Sequence, residues 1–380
     1  MPRPRGLLRV RPHPVTFVTF GPSRHAPIPI GHPTGHPRHF ATSSGDNERV
    51  PLHPARRIAV AFLLVTSTAV LASLPLDDSS SSSSNNNNNN NNTKAAMSSK
   101  LVPPNPDEVM VIRDITPNVV TFSVPFLRFG RVPIGGRGTL VRLTSGSLAV
   151  FSPVALTDAA RAKVASLGGD VRYLIASDVE HHIFLSEWAR AYPDAKLIGP
   201  EGLPEKRRKV AAAGDDPRIG AEPFAVVATR ESATGLSVDD EFDRDFAVEY
   251  VHAHPNRELV FLYRPEKVLI QADLLFNLPA VEQYSRVPED QKPRPGLIAN
   301  MFSRMQSTSG DATGMKRFMW HVISRGNRAA FNESVARIAQ WDFDTIIPCH
   351  GETVIGGGKE LFERVFEWHL EAEQGKGTKM

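Results

Sequence analysis

Four sets of residues with metal-ligand chemistry recur at one kind of position in this chain. His181 and His182 stand where a strand-like run gives way to a helix-like one. His254 follows the strand-like run 246–251, Asp273 follows 267–270, and His350 follows 345–347. In an open α/β sheet the carboxyl ends of strands are where ligands gather. Imidazole and carboxylate together suit zinc, iron or manganese. Any one of these histidines alone reads more simply as a satisfied structural residue; their coincidence at equivalent strand ends favours a metal site. His252 alternates with His254 and reads as structural. Cys349, the only cysteine, reads as buried and inert, and its solitude excludes an internal disulfide and a zinc-finger framework.

The elements that must position these groups are legible from Asp114 onward. Runs 119–126, 139–143, 148–152, 171–176 and 196–198 read as strands, as do 246–251, 258–263, 267–270 and 345–347. Helical spacing marks 157–167, with Thr157 as N-cap, and 183–192, 331–341 and 359–369. Strands come first, then strand and helix alternate, which gives an α/β layered domain over 110–372. Residues 279–325 open with prolines and then show helical apolar spacing. They read as a helical insertion, either packed beside the site or lying over it as a lid. The mainly basic run 205–209 reads as a solvated helix face.

The N-terminal quarter differs. Residues 1–57 hold nine Arg, no Lys, two acids and eleven prolines, and read as a disordered Pro/Arg-rich tail. Residues 58–76 carry no charge and could serve as a transmembrane or signal anchor, unless they are not translated. Residues 77–100 contain runs of six Ser and eight Asn, a low-complexity linker. A start at Met97 would give a cytoplasmic protein; translation of the whole chain would give a single-pass, membrane-anchored one. The chain's net charge of +3 hides a tail of +7 and a region beyond residue 96 of −3. The folding part is therefore mildly acidic, and no nucleic-acid partner is expected.

Several segments resemble a known family. ADLLFNLP at 272–279, after KVLIQ, resembles the metallo-β-lactamase segment VLFTGDLLF. VHAHPNRELVFLY at 251–263 resembles PGHTPGSLVFL, and IIPCHG at 346–351 resembles VIPGHG. YLIASDVEHHIFLSEW at 173–188 stands in the place of THxHxDHxGG. More narrowly, the 181–207 and 272–279 segments resemble the DUF4336 family. The resemblance implies a metallo-β-lactamase-like αββα sandwich, akin to ribonuclease Z and hydroxyacylglutathione hydrolase, with the helical insertion near 279–325. It also exposes a departure: Ser177 and Val179 stand where the superfamily has two histidines. What remains implied is one divalent metal at His182, Asp273 and His350, with His181 or His254 assisting. Zinc is the first choice, then iron or manganese.

Such a site implies a metal-dependent hydrolase. A metal-bound hydroxide would attack an ester, thioester, lactone or phosphoester in a small-molecule substrate. Asp178 or Glu180 would supply an oxygen ligand or a general base, or else both are solvated loop carboxylates. Arg257 would bind an anionic group. The alternative is a non-catalytic binding protein that has kept the fold and lost the HxH position.

Overall fold

The computed structural model describes residues 103, 105–168, 170–233 and 235–377. The tail, the apolar run 58–76, the linker 77–100 and Met97 lie outside the described residues. Among those described, no helix is long and apolar enough to cross a membrane.

The first half builds one sheet. A short helix α1 (Pro106–Val109) leads into β1 (Val111–Thr116) and β2 (Val119–Val124). A small two-stranded hairpin follows, β3 (Leu127–Arg128) and β4 (Val132–Pro133), then β5 (Gly136–Arg142) and β6 (Leu148–Phe151). Next come α2 (Asp158–Ser166), β7 (Val171–Ile175), α3 (Leu185–Ala191), β8 (Lys196–Pro200), α4 (Leu203–Ala213) and β9 (Val226–Ala228). The order across this sheet is β1-β2-β5-β6-β7-β8-β9, antiparallel up to β6 and parallel from there. The change to parallel pairing coincides with the first helical crossovers, as chain geometry requires.

The second half builds another sheet. After α5 (Asp240–Asp245) come β10 (Phe246–Val251), β11 (Glu258–Tyr263) and β12 (Val268–Ile270). The helical segment then supplies α6 (Leu297–Met305) and α7 (Thr313–Phe318), followed by α8 (Arg328–Ile338), β13 (Thr345–Ile347) and α9 (Gly358–Gly377). The sheet order is β10-β11-β12-β13, with β12 and β13 parallel.

Side-chain alternation shows how the sheets are layered. On β11, Leu259, Phe261 and Tyr263 enter one apolar cluster, while Val260 and Leu262 enter another. On β6, Ala149 and Phe151 join the first of these, while Leu148 and Val150 face the opposite way. The shared cluster is the seam between the sheets. The outer face of the first sheet packs on Ala160, Val164, Leu185, Trp188 and Leu203 of α2, α3 and α4. The outer face of the second packs on Met315, Phe331, Val335, Phe362 and Phe366 of α7, α8 and α9. The result is an α/β fold of four layers, the αββα sandwich that the resemblance implied. Both sheets are buried on both faces, which explains the near-continuous apolar runs of β2 and β11.

Thr157 caps α2, its hydroxyl accepting the Ala160 N–H at 3.1 Å. The sequence reading placed β10, β11 and β13 at their observed bounds. It missed β1, α5 and the full extent of α4. Within α4 the basic run 205–209 is not wholly solvated: Arg207 is fully buried.

Candidate functional site

The loops after β7, β12 and β13 and the turn between β10 and β11 meet at one edge of the sandwich. There, His181, Asp273 and His350 place one ligand-type atom each within 4.8 Å of one another. The His181 and His350 Nε2 atoms are 3.1 Å apart. Asp273 Oδ1 lies 3.1 Å from the His350 Nε2 and 3.9 Å from that of His181.

Both rings are oriented from behind. His350 Nδ1 donates to the Gly135 carbonyl at 2.6 Å. His181 Nδ1 donates to Asp178 Oδ1 at 2.9 Å. Neither acceptor can give a proton, so each neutral ring carries its hydrogen on Nδ1 and presents a bare Nε2. Two lone pairs and a carboxylate oxygen then face one another. That arrangement is repulsive unless a cation or a proton lies among them, so the donor set fits a divalent metal. A proton can also fill the gap. Burial opposes a charge on His181, but Asp178, with Cys349 and Asp273, outweighs it and pushes the ring well above its ordinary value. Burial depresses His350 below its own. Burial also resists ionisation of Asp273, and the His181 and His350 rings overcome that and hold the carboxyl low.

Asp178 acts as a strut. Its Oδ1 accepts the Glu180 and His181 N–H groups at 2.7 and 2.8 Å besides the His181 ring. This fully buried carboxylate is not a solvated loop group: its Oδ1 is spent on the turn, and its Oδ2 has no hydrogen-bond partner among the described residues. Glu180 lines the cavity, paired with Lys206 at 3.1 Å.

His182 departs from the ligand set drawn from sequence. Its backbone carbonyl accepts Arg207 Nη1 at 2.8 Å, and its Nδ1 lies 3.3 Å from the same nitrogen. Arg207 is held in turn by Ser186 and Glu222. Burial, with Lys206 and Arg207 beside it, drives His182 down to about 3. His181 therefore occupies the place assigned to its neighbour, because the turn bonded to Asp178 aims the first ring at the cluster and the second at α4. Arg257 also departs from expectation: its Nη1 donates to the Glu201 carbonyl at 2.9 Å, and it is absent from the cavity wall. His254 is buried beside Asp273 but outside the trio, its Nε2 without a hydrogen-bond partner among the described residues. Where the superfamily has two further histidines, Ser177 bonds Ser152 at 2.9 Å and Val179 packs into the outer core. Cys349 is buried, and that burial pushes its thiol up to about 11, in keeping with an inert residue.

Several residues that hold the site were not singled out from sequence. Arg137, fully buried, donates Nη1 to the Pro348 and Gly351 carbonyls, each at 2.7 Å, and clamps the loop bearing His350. Gln283 clamps it from the other side through the Cys349 carbonyl and the Gly351 N–H. Gly351 has φ +87, and a Cβ there would come within 2.0 Å of the Asn277 carbonyl oxygen. No other residue fits that close approach. Glu258 accepts the Ala272 and Asp273 N–H groups at 2.8 and 2.9 Å. Burial, then Asp178 and Asp273, raises this carboxyl well above its ordinary range. Asn256 donates to Asp273 Oδ2 at 2.6 Å. For Glu258 the available signal was a carboxylate opening an otherwise apolar strand, ELVFLY; GRGTLVR, with two arginines, gave no comparable signal for Arg137.

A cavity of about 580 Å³ opens onto this cluster, lined by His181, His350 and a largely apolar wall. A smaller one of about 40 Å³ touches Asp273 and His254 and is closed by Phe302, Gln306, Phe318 and Ile323. The helical segment therefore forms packed wall beside Asp273.

Residues 128–202 match the family described as Domain of unknown function (DUF4336), as the sequence resemblance implied. A search of curated proteins finds no match. Among solved structures, the metal-soaked Flv1 flavodiiron core from Synechocystis sp. PCC6803 is similar at 15% identity and a TM-score of 0.45. The likeness covers 70% of this chain and 62% of that one, so the chain spans under two thirds of that protein. A metallo-β-lactamase from Hirschia baltica gives 14% identity and a TM-score of 0.41, covering 68% of this chain and 97% of that one. The mono-zinc form of the metallo-β-lactamase FIM-1 from Pseudomonas aeruginosa gives 12% and 0.41, covering 69% and 96%.

Proposed function

We propose that the chain is a mononuclear metal-dependent hydrolase whose ion is held by His181, Asp273 and His350. One observation carries this reading: two histidine Nε2 atoms 3.1 Å apart, each with its Nδ1 committed to an acceptor that cannot return a proton. A divalent ion held there supplies Lewis acidity and eases the ionisation of water near neutral pH. Zinc is the first choice for two imidazoles and a carboxylate, with iron or manganese the alternatives.

The protein's own groups do the rest. Asp178 and the Gly135 carbonyl fix the ring orientations, and Asn256 fixes Asp273. The apolar wall excludes bulk water. Glu180, on the polar side of the cavity beside Lys206, accepts the proton lost by water as its oxygen bonds to the carbonyl or phosphoryl centre. The bond to the leaving oxygen or sulfur then breaks, and that atom takes the proton. The partner is a small molecule.

Elemental analysis of purified protein tests the reading. About one zinc, manganese or iron per chain, lost in His181→Ala and His350→Ala, supports it. No metal in the wild type after purification and zinc reconstitution overturns it, and the non-catalytic binding protein then stands. Glu180→Gln should keep the metal and lose roughly 100-fold in turnover of a generic ester.

A further inference from the structure

The wall of the larger cavity has two unlike parts. One is apolar: Val124, Phe126, Leu127, Val154, Ala155 and Phe184. These come from β2, the β3–β4 hairpin, the turn after β6 and the loop before α3, so the surface is assembled by separate elements. The other part is polar and lies around His181 and His350. Most charges there are already engaged: Glu180 with Lys206, Asp216 with Arg218, and Arg137 with the 348–351 loop. Arg128 is the least engaged: its charge helps to hold Asp273 low, but without a direct contact. It lines both cavities, and among the described residues its guanidinium makes no hydrogen bond or ion pair, resting 5.4 Å above the Phe129 ring. The volume lies within the roughly 300–1,000 Å³ range of small-molecule sites.

We infer that this site takes an amphipathic acyl compound, an ester, thioester or lactone whose carbonyl head meets Arg128 beside His181 and His350 and whose apolar tail lies along Val124, Phe126 and Val154. The inference rests on the hydrolase reading for its chemistry, but the placing of the tail depends on the cavity alone. A highly charged substrate such as a nucleotide would find apolar wall where its phosphates need donors. A short polar substrate would leave the apolar part filled with water. Burying a tail there gains affinity with each carbon added, and a nearby guanidinium donates to the neutral carbonyl head and balances the charge of the carboxylate that hydrolysis leaves.

Straight-chain carboxylates from butanoate to dodecanoate serve as probes of the product type, titrated calorimetrically into the full chain, with metal content measured on the same sample. Affinity should rise about threefold to fourfold per methylene and then level off as the tail fills the cavity. Ala155→Trp should bring the levelling to a shorter chain. Leu127→Ala, a milder change on the hairpin, should move it to a longer one. Arg128→Gln should weaken every length about tenfold with the slope intact. A flat length dependence overturns the inference, as does a plateau that neither wall variant moves. An unchanged affinity in Arg128→Gln overturns the placing of the head. Metal bound with a flat series defeats this inference alone. A clear slope with no metal defeats the hydrolase reading alone.

Discussion

Two regions enclose histidine, and one ring from each, His181 and His369, is treated in opposite ways. At the strand ends, His181 is faced by the Asp178 and Asp273 carboxylates and is pushed well above its ordinary value. In the outer helical layer, His369 on α9 sits among Trp320, Phe331 and Phe366, near Arg328, and burial drives it down to about 4. Desolvation disfavours the charged ring in both places, and only at His181 do neighbouring anions reverse it; His350, in the same cluster, stays below its ordinary value. Burial of a histidine therefore says little about its role. What its second nitrogen meets says more: the His181 Nδ1 meets a carboxylate and leaves Nε2 for the cluster, whereas the His369 Nε2 is spent on Ser324 at 3.1 Å.

The sharpest break between the regions is metal content. His181→Ala and His350→Ala should each weaken metal binding by more than about 100-fold, while His369→Ala leaves it unchanged. Elemental analysis after dialysis against graded chelator reads this out. Equal loss in all three variants would erase the distinction.

The next contrast is in pH. His369 has a folded value near 4 against an ordinary 6.5, so the unfolded chain binds its proton first as pH falls. Its contribution is fully present above pH 6.5 and is lost between 6.5 and 4, on the order of 3 kcal/mol. Urea unfolding of wild type and His369→Phe across that window should show a shallower acid loss in the variant. Parallel curves would mean that His369 is not the group responsible.

A smaller effect is expected behind the cluster. Asp178→Asn keeps the shape but takes away the charge that orients and polarises His181. Metal affinity should fall about tenfold, less than for removal of the ring itself. A loss equal to that of His181→Ala would make Asp178 a direct ligand.

The smallest metal effect separates adjacent residues. His182→Ala should leave metal per chain unchanged while lowering stability, because His182 is packed under Arg207 and takes no part in the trio. Metal loss in this variant would restore the ligand set drawn from sequence.

Most of the fold was legible in the chain. The apolar runs of β10, β11 and β13, bounded by turn residues, gave their limits, and Thr157 marked the start of α2. α5 was missed because DEFDRD has no apolar period to detect; it is held by the Asp239 cap and the burial of Phe242. β1 was missed because its residues are only partly buried and alternate weakly. In the site, Asp273 and His350 followed from their place after strands, since a parallel register aligns the ends of β12 and β13 whatever the side chains do.

The sequence by itself determined the α/β class, most of the strands and the ligand-type groups that follow several of them, while the four-layer sandwich was implied by the family resemblance. The first three depend on periodicity and chain connectivity, which are local. Tertiary structure alone decided between His181 and His182. Neighbouring residues in a turn point in different directions, and that turn's geometry is fixed by three bonds to the buried Asp178 Oδ1. It alone decided that Arg257 holds the Glu201 turn while Arg128 faces the cavity, and that Arg137 and Glu258 steady the ligand loops. Each of those contacts joins residues far apart in sequence or depends on a loop's conformation, so no pattern of residue types along the chain encodes it directly.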